Sequence, residues 1–346
     1  MRWATAGLIL LAWSVAFGQG CPTVAVVIPE TVIIREIPRP VPDPAAETAI
    51  IKHFLDYGFN VVDLVHVPVQ RATPEGLKLT RERALAAMAG AQTAIRELAG
   101  RDGAAVDVLV VGEAVSTVTV FEALRIPGQP RLQDGRARVE VRAIRVATGQ
   151  ILAAEALHTG GLDFAEELAG KKSLERAGDK VACKLAAAIA QRYPFTDRCF
   201  KGCTPPAPTI GAVAFENRSG CFWRGLDIGQ VFATAVETAL SERGCKTAQA
   251  MASEYVVAGV ISDCRVITTP TIDLPILNLL LRGVMIWVSV DVRLLDVSTA
   301  EFQGFEVEAS VSGIEIFGIR FGASPRDLAR AVAREIAARV GLRCRR

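Results

Sequence analysis

Apolar and polar residues alternate along one stretch of the second half of the chain, FQGFEVEASVS, at residues 302–312. Side chains of a β-strand point alternately to the two faces of a sheet, so this pattern predicts a strand with one buried and one solvated face. The stretch before it, MIWVSVDVRLLDV at 285–297, is apolar enough to be its hairpin partner across a short turn. The predicted buried face of the second strand carries Phe305, Val307, Ala309 and Val311.

Helical periodicity flanks this hairpin on both sides. Asp227 begins one predicted helix, because Gln230 follows three residues later as in a capping box, and Gly244 ends it. Ser324 followed by Pro325 predicts the start of a second helix. Four apolar residues recur there at helical spacing: Leu328, Val332, Ile336 and Val340.

The same order of elements occurs twice along the chain. In the second half, strands at 209–217 and 254–262 enclose the first helix, and the hairpin and the last helix follow. In the first half, strands at 24–28 and 107–115 precede a hairpin at 138–157 and a closing helix. The repeated order β-α-β-(α)-β-β-β-α predicts an α/β (α+β) fold of two tandem mixed sheets with helices packed on them.

The repeat sets the predicted domain boundaries. They are a signal peptide at 1–20, an N-terminal domain at 21–193, a linker at 194–208 and a C-terminal domain at 209–346. Within the N-terminal domain, the proline-rich passage at 37–44 predicts an extended loop, and Asp43 with Pro44 predicts the start of a helix. A further continuous helix is predicted at 81–98.

The first twenty residues predict export. Arg2 is followed by an apolar run at 4–15 and by small residues that suit signal-peptide cleavage. Export permits disulfides, and eight cysteines are present. The duplication places equivalent cysteines before the first strand and after the last helix of each copy. It predicts that Cys21 pairs with Cys199 and Cys203 with Cys344, the alternative being a bond between Cys199 and Cys203.

The residue types that carry most catalytic chemistry are sparse. His53, His66 and His158 are the three histidines, and none has a cysteine or carboxylate at metal-ligand spacing. No nucleophile or phosphate-binding motif occurs. The net charge is +2, and no basic run is interleaved with aromatic residues. We therefore expect no catalytic residue, no cofactor, no metal and no nucleic-acid partner.

Five short segments follow one another in the second copy: VAFENRSG, ALSERG, EYVVAGVI, VDVRLLDVSTAEF and AVAREIAARV. In this order they resemble the CsgG family, the outer-membrane secretion channel of curli fibres. The resemblance covers about 140 residues, and the first copy resembles the same fold more loosely. It implies a homo-oligomer at the outer membrane that handles a secreted polypeptide.

The resemblance implies two groups of site residues. The loop after the first strand would line a narrow constriction, although Phe222 and Trp223 could instead pack over the start of the following helix. The apolar segment at 266–290 would meet the membrane or a neighbouring subunit, the alternative being a flap over the sheet. The constriction residues are Asn217, Phe222, Trp223 and Arg224. The contact residues are Leu277, Leu280, Ile286 and Trp287.

Three further alternatives remain at the level of the sequence. Members of the family are lipoproteins, so Cys21 is either a lipid anchor or one half of a disulfide. A soluble periplasmic adaptor or activator of cell-wall or flagellar machinery would use the same fold without entering a membrane. A small-ligand binder or hydrolase would need a deep pocket with convergent polar groups.

Overall fold

The computed structural model shows a mixed α/β protein with two β-sheets and helices packed on them. It describes residues 21–62, 73–100, 106–122, 130–193, 200–204, 207–220, 225–269, 272–274, 279–316, 319–321 and 323–341. The predicted fold class is confirmed. The predicted signal peptide lies outside the described residues.

The first sheet has seven strands, and it is mixed. The strands are β1 (Thr23–Val27), β2 (Glu30–Ile34), β3 (Ile37–Pro40), β4 (Asn60–Val61), β5 (Val108–Val120), β6 (Gln133–Arg145) and β7 (Ile151–Asp163). Parallel pairs join β1 to β4 and β5, and β2 to β5, whereas β2 and β3 form an antiparallel hairpin. The accompanying helices are α1 (Ala45–Asp56), α2 (Pro74–Met88), α3 (Gln92–Leu98) and α4 (Glu166–Arg192).

The second sheet has eight strands. They are β8 (Thr209–Ala212), β9 (Glu216–Asn217), β10 (Lys246–Thr247), β11 (Tyr255–Thr268), β12 (Ile272–Leu274), β13 (Leu279–Asp296), β14 (Glu301–Ile316) and β15 (Ile319–Phe321). Their order is β10-β8-β11-β13-β14-β15, with β9 beside β11 and β12 beside β13. Parallel pairing joins β8 to β10 and β11, and the strands from β11 to β15 are antiparallel. Its helices are α5 (Ile228–Glu242) and α6 (Pro325–Val340).

The chain divides into two compact units. Unit 1 runs to Val118 and includes Gly135–Thr159 and Gly170–Pro206, and the remainder forms unit 2. The last boundary falls inside the predicted linker. Two segments that the sequence places in the N-terminal domain, at 119–134 and 160–169, belong to unit 2. The reason is visible in the core of unit 2, where Leu132 and Leu162 join one apolar cluster with residues of β11 and β13.

The capping signals of unit 2 act as the sequence predicts. The Asp227 carboxylate accepts the backbone N–H of Gln230 at 3.1 Å, and the Ser324 hydroxyl accepts that of Asp327 at 3.2 Å. Gly244 adopts φ +82°, the left-handed conformation that follows a helix end. All four predicted apolar residues of α6 are buried.

Two predictions for unit 1 are wrong in detail. The helix at 81–98 is two helices, α2 and α3, because the chain turns at Gly90 with φ +90°. The proline-rich passage is not all loop, since its first four residues form β3. Proline lacks a backbone N–H, and β3 pairs with β2 at an end of the sheet order, where one edge needs no donor.

The start of α1 is capped by a residue far away in the sequence. Pro44 has no side chain that can accept a hydrogen bond there, and the carboxylate of Glu30 accepts the N–H groups of Ala45 at 2.8 Å and Glu47 at 3.0 Å. Glu47 in turn accepts the N–H of Ile28 at 2.6 Å. Burial of Glu30 raises its pKa to about 7 from an ordinary 4.5, against the lowering effect of these N–H groups.

This burial predicts a pH-dependent stability. The pKa of Glu30 is higher in the folded state than in the unfolded state. Its contribution to the free energy of unfolding is therefore complete below about pH 4.5 and is lost as the pH rises through about 7. The free energy of unfolding should fall across that window by at most about 1.4 kcal/mol per pH unit. Urea denaturation at several pH values should show a shallower slope for Glu30→Gln. Glu36→Gln, which changes an exposed carboxylate, should keep the slope of the unmodified protein, and an equal slope in all three would contradict the assignment.

Candidate functional site

The dominant feature of unit 2 is a long antiparallel hairpin. Strands β13 and β14 pair without a break from Asp296 opposite Glu301 to Leu281 opposite Ile316. Helices α5 and α6 cover one face of this sheet, and the side chains of β13 that point toward them form the core. These buried residues are Val284, Ile286, Val288, Val290, Val292 and Leu294.

At the end of the hairpin away from the turn, apolar side chains reach the surface. Ile267 is 47% exposed and lies opposite Met285, and Ile314 is 47% exposed and lies opposite Gly283. Residues opposite each other, or two apart on one strand, share a face of a sheet. Ile267, Met285 and Ile314 therefore form one apolar patch on the face away from the helices, and we call it the distal surface.

The predicted contact residue Trp287 lies next to the distal surface. It is two residues from Met285 on β13, partly exposed, and its ring lies 5.4 Å from the guanidinium of Arg265 on the neighbouring strand. A guanidinium over an aromatic face is a favourable cation–π contact. Trp287 therefore extends the distal surface with a ring that is held in place by Arg265.

Farther along the same face the character changes from apolar to charged. Glu306 and Glu308 of β14 are both exposed, and we call this pair the acidic strand. The hydroxyl of Ser289 donates to Glu306 at 2.5 Å, which fixes the position of that carboxylate. On β13, Asp291 and Arg293 are exposed beside an open cleft of about 210 Å³.

The outer surface of the two helices carries a groove. It has a volume of about 640 Å³ and runs between α5 and α6. The middle of the α5 wall consists of small or neutral residues, with Asp227 and Glu242 at its two ends, and the α6 wall carries three arginines. We call this feature the arginine groove; its central lining residues are Val231, Thr234, Ala235, Thr238, Arg326, Arg330 and Arg334.

The predicted constriction loop is described in part only. Asn217 ends β9, and its side-chain oxygen accepts the backbone N–H of Ser219 at 3.2 Å and the hydroxyl of Ser219 at 2.7 Å. This closes a tight polar turn. Phe222, Trp223 and Arg224 lie outside the described residues, so their role in a constriction stays a prediction.

The four residues predicted to contact the membrane or a neighbouring subunit have different outcomes. Ile286 is fully buried in the core of unit 2, so the prediction of an external contact for it is wrong. The reason is the strand period, which turns Ile286 inward and its neighbours Met285 and Trp287 outward. Leu280 pairs through its backbone with Asp273, and Leu277 lies outside the described residues.

The disulfide pattern differs from the one predicted by symmetry. Cys183 on α4 is bonded to Cys203, with 5.6 Å between the Cα atoms. The predicted bond between Cys203 and Cys344 is therefore wrong, because one sulfur holds one partner. Cys21 is disulfide-bonded, so its sulfur is not available for a lipid thioether. Its predicted partner Cys199, like Cys344, lies outside the described residues, and Cys245 and Cys264 are also disulfide-bonded.

The described residues contain no group of three or more histidine, cysteine, aspartate or glutamate side chains placed to hold a metal ion. No helix in the same part of the chain combines the length and the apolar character needed to cross a membrane.

Comparison with known proteins gives only weak similarities. No family model matches this chain, and no curated protein matches it. Among solved structures, a hypothetical protein from Chlamydia trachomatis is 13% identical with a TM-score of 0.28, over 40% of this chain and 98% of that one. The PelC dodecamer from Paraburkholderia phytofirmans is 14% identical with a TM-score of 0.21, over 38% of this chain and 86% of that one. A lipoprotein from Neisseria meningitidis is 16% identical with a TM-score of 0.23, over 38% of this chain and 99% of that one. Scores this low carry no functional argument, and the resemblance to the CsgG family stays a prediction.

The arginine groove is the feature that sequence reasoning missed. Arg326, Arg330 and Arg334 recur every four residues in PRDLARAVAREIAARV, so they share one side of α6. The apolar face of this segment predicts a helix, and its last ten residues belong to the resemblance to the CsgG family. The charged spacing was visible, but the groove itself depends on how α5 packs beside α6.

Proposed function

We propose that this protein is an exported, non-enzymatic assembly component of the cell envelope that associates with copies of itself. The observation that carries the proposal is the distal surface, where Ile267 and Ile314 are each about half exposed beside Met285 on strands of a continuous sheet. Clustered exposed apolar residues mark contact sites, because leaving them in water costs free energy. We take the partner that covers the distal surface to be a second copy of this chain, because the predicted homo-oligomer requires a contact between copies.

The disulfides support the exported location. Cys183 and Cys203 are bonded, and three further described cysteines are also in disulfides. Such bonds persist in oxidising compartments and are rare in the cytosol. They agree with the signal peptide predicted from the first twenty residues.

The narrower proposal is a CsgG-like secretion role at the outer membrane. It rests on the ordered sequence resemblance, in which the loop with Phe222 and Trp223 would face the centre of an assembly and grip a polypeptide. The arrangement of the distal surface at one end of the sheet is compatible with a contact to membrane or to a neighbouring subunit. The adaptor alternative uses the same fold as a soluble monomer.

Removing the apolar character of the distal surface should weaken self-association. We expect Ile267→Asn with Ile314→Asn to raise the dissociation constant of the oligomer about tenfold or more, because buried apolar anchors dominate interface energies. Sedimentation of protein extracted from the envelope fraction with mild detergent measures this. Ile37→Asn, at an exposed apolar position of unit 1, is the control and should leave the size unchanged.

The same experiment separates the alternatives. An unmodified protein that is monomeric at every concentration, and that fractionates without detergent, would contradict the assembly proposal and favour the adaptor. Thermal unfolding of the double variant should stay close to that of the unmodified protein, because both side chains are at the surface.

A further inference from the structure

We propose that the arginine groove of one copy receives the acidic strand of the next copy. The inference rests on the proposed self-association and adds the partner surface and the chemistry of the contact. It is carried by two exposed, oppositely charged features of unit 2 whose charges have nearly the same spacing.

The basic side is a regular row. Arg326, Arg330 and Arg334 are all exposed, and four residues of an α-helix span ~6 Å along its axis. Within the described part of the chain, Arg330 has an ion pair with Asp327 at 3.7 Å, and neither Arg326 nor Arg334 has one. Arginine recognises carboxylates well because its planar fork can form two parallel hydrogen bonds.

The acidic side repeats at a similar distance. Glu306 and Glu308 are two residues apart on β14, and two residues of a strand span ~6.7 Å. Residues 301–313 of β14 have no strand on their outer edge among the described residues, because β15 pairs only with the last three residues of β14. Because no further described strand flanks this part of β14, the two carboxylates stand at the border of the outer face of the sheet, where a second copy can reach them.

The groove has room for such a strand. Its α5 wall offers Thr234, Ala235 and Thr238, which are small and uncharged. The carboxylate of Glu237, which could repel an acidic strand, is engaged by the backbone N–H of Ala212 at 3.2 Å, toward the sheet. The arginines therefore set the charge at the centre of the groove, with Asp227 and Glu242 at the ends of the α5 wall.

The two surfaces cannot meet within one copy of unit 2. Val307 points into the core beneath α6, so its neighbours Glu306 and Glu308 point to the opposite face of the sheet. A contact between the two features therefore joins different surfaces of successive copies. Such a heterologous contact closes into a ring or continues as a filament.

Charge reversal tests the contact with full-length protein. We expect Arg330→Glu with Arg334→Glu to raise the dissociation constant of the oligomer about tenfold, and Glu306→Lys with Glu308→Lys to do the same. An equimolar mixture of the two variants should recover association, because each then presents the surface that the other lacks. Lys52→Glu with Arg96→Glu in unit 1 makes the same change in net charge at exposed positions and should have no effect.

The outcomes separate this inference from the proposed function. Association that weakens from about 50 mM to about 500 mM salt and is recovered in the mixture supports the contact, because salt screens exposed charges. An unmodified protein that assembles, with charge-reversed variants that assemble equally well, overturns the contact and leaves the distal surface as the interface. An unmodified protein that is monomeric overturns both.

Discussion

Gly229→Ala is expected to destabilise unit 2 by about 3 kcal/mol or more, because a methyl group at this position would collide with backbone rather than with a side chain that can move. A Cβ atom on Gly229 would overlap the carbonyl oxygen of Phe215 and lie 3.1 Å from its carbonyl carbon. The carbonyl oxygen of Gly229 also accepts the N–H of Phe215 at 3.1 Å. The first turn of α5 is thus held directly against the chain that follows β8.

Intrinsic tryptophan fluorescence measures this loss. Beyond residue 20 the chain has two tryptophans, Trp223 and Trp287, and both belong to unit 2. Urea unfolding monitored at these tryptophans should move to lower denaturant in Gly229→Ala. Gly304→Ala is the matched control, since its nearest foreign atom would be the Val292 carbonyl oxygen at 3.9 Å. Equal unfolding midpoints for the two variants would contradict the packing argument.

The elements that the sequence predicts well are those set by neighbours along the chain. Asp227 and Ser324 cap their helices, and the alternation in β14 places Val307 inside and Glu308 outside. Each of these depends on residues within about four positions, which is the range of a helical turn or a strand repeat. The α/β class follows from the order of such elements.

The features that the sequence missed depend on contacts across long separations. Glu30 caps a helix that begins fifteen positions later, at Ala45. Cys183 is bonded to Cys203, which the duplication predicts to pair with Cys344. The duplication predicts two equivalent copies, but residues 119–134 and 160–169 of the first copy belong to unit 2, and Leu132 and Leu162 join its core. The sequence pattern cannot predict that a segment of one copy packs in the other unit, because its secondary structure is the same in either place.

The candidate site shows the same division. The apolar segment at 266–290 was recognised from its composition, but composition cannot say which of its side chains face outward. That depends on the register of β13 against β11 and β14, which pairs Ile286 with Val266 on one side and with Val311 on the other. Once the register is known, the strand period separates core residues from surface residues one position at a time.

Ile286→Ala should therefore act as a core mutation and lower the free energy of unfolding of unit 2 by about 2–5 kcal/mol, the cost of removing a buried isoleucine side chain and leaving a cavity. Ile267→Ala is the matched control, because Ile267 is 47% exposed and lies opposite Met285 in the adjacent register position. Denaturation followed by tryptophan fluorescence should show a large shift for the first variant and little for the second.

The size of the assembly should respond in the opposite order. Ile267 belongs to the distal surface, so Ile267→Ala should weaken self-association. Ile286→Ala, measured at denaturant concentrations where it is still folded, should associate as the unmodified protein does. If Ile286→Ala instead weakened association and left the unfolding curve unchanged, Ile286 would be a contact residue and the core assignment of β13 would be wrong. The boundary between the core and the interface would then fall on a different residue of β13, and the distal surface would need to be redrawn around it.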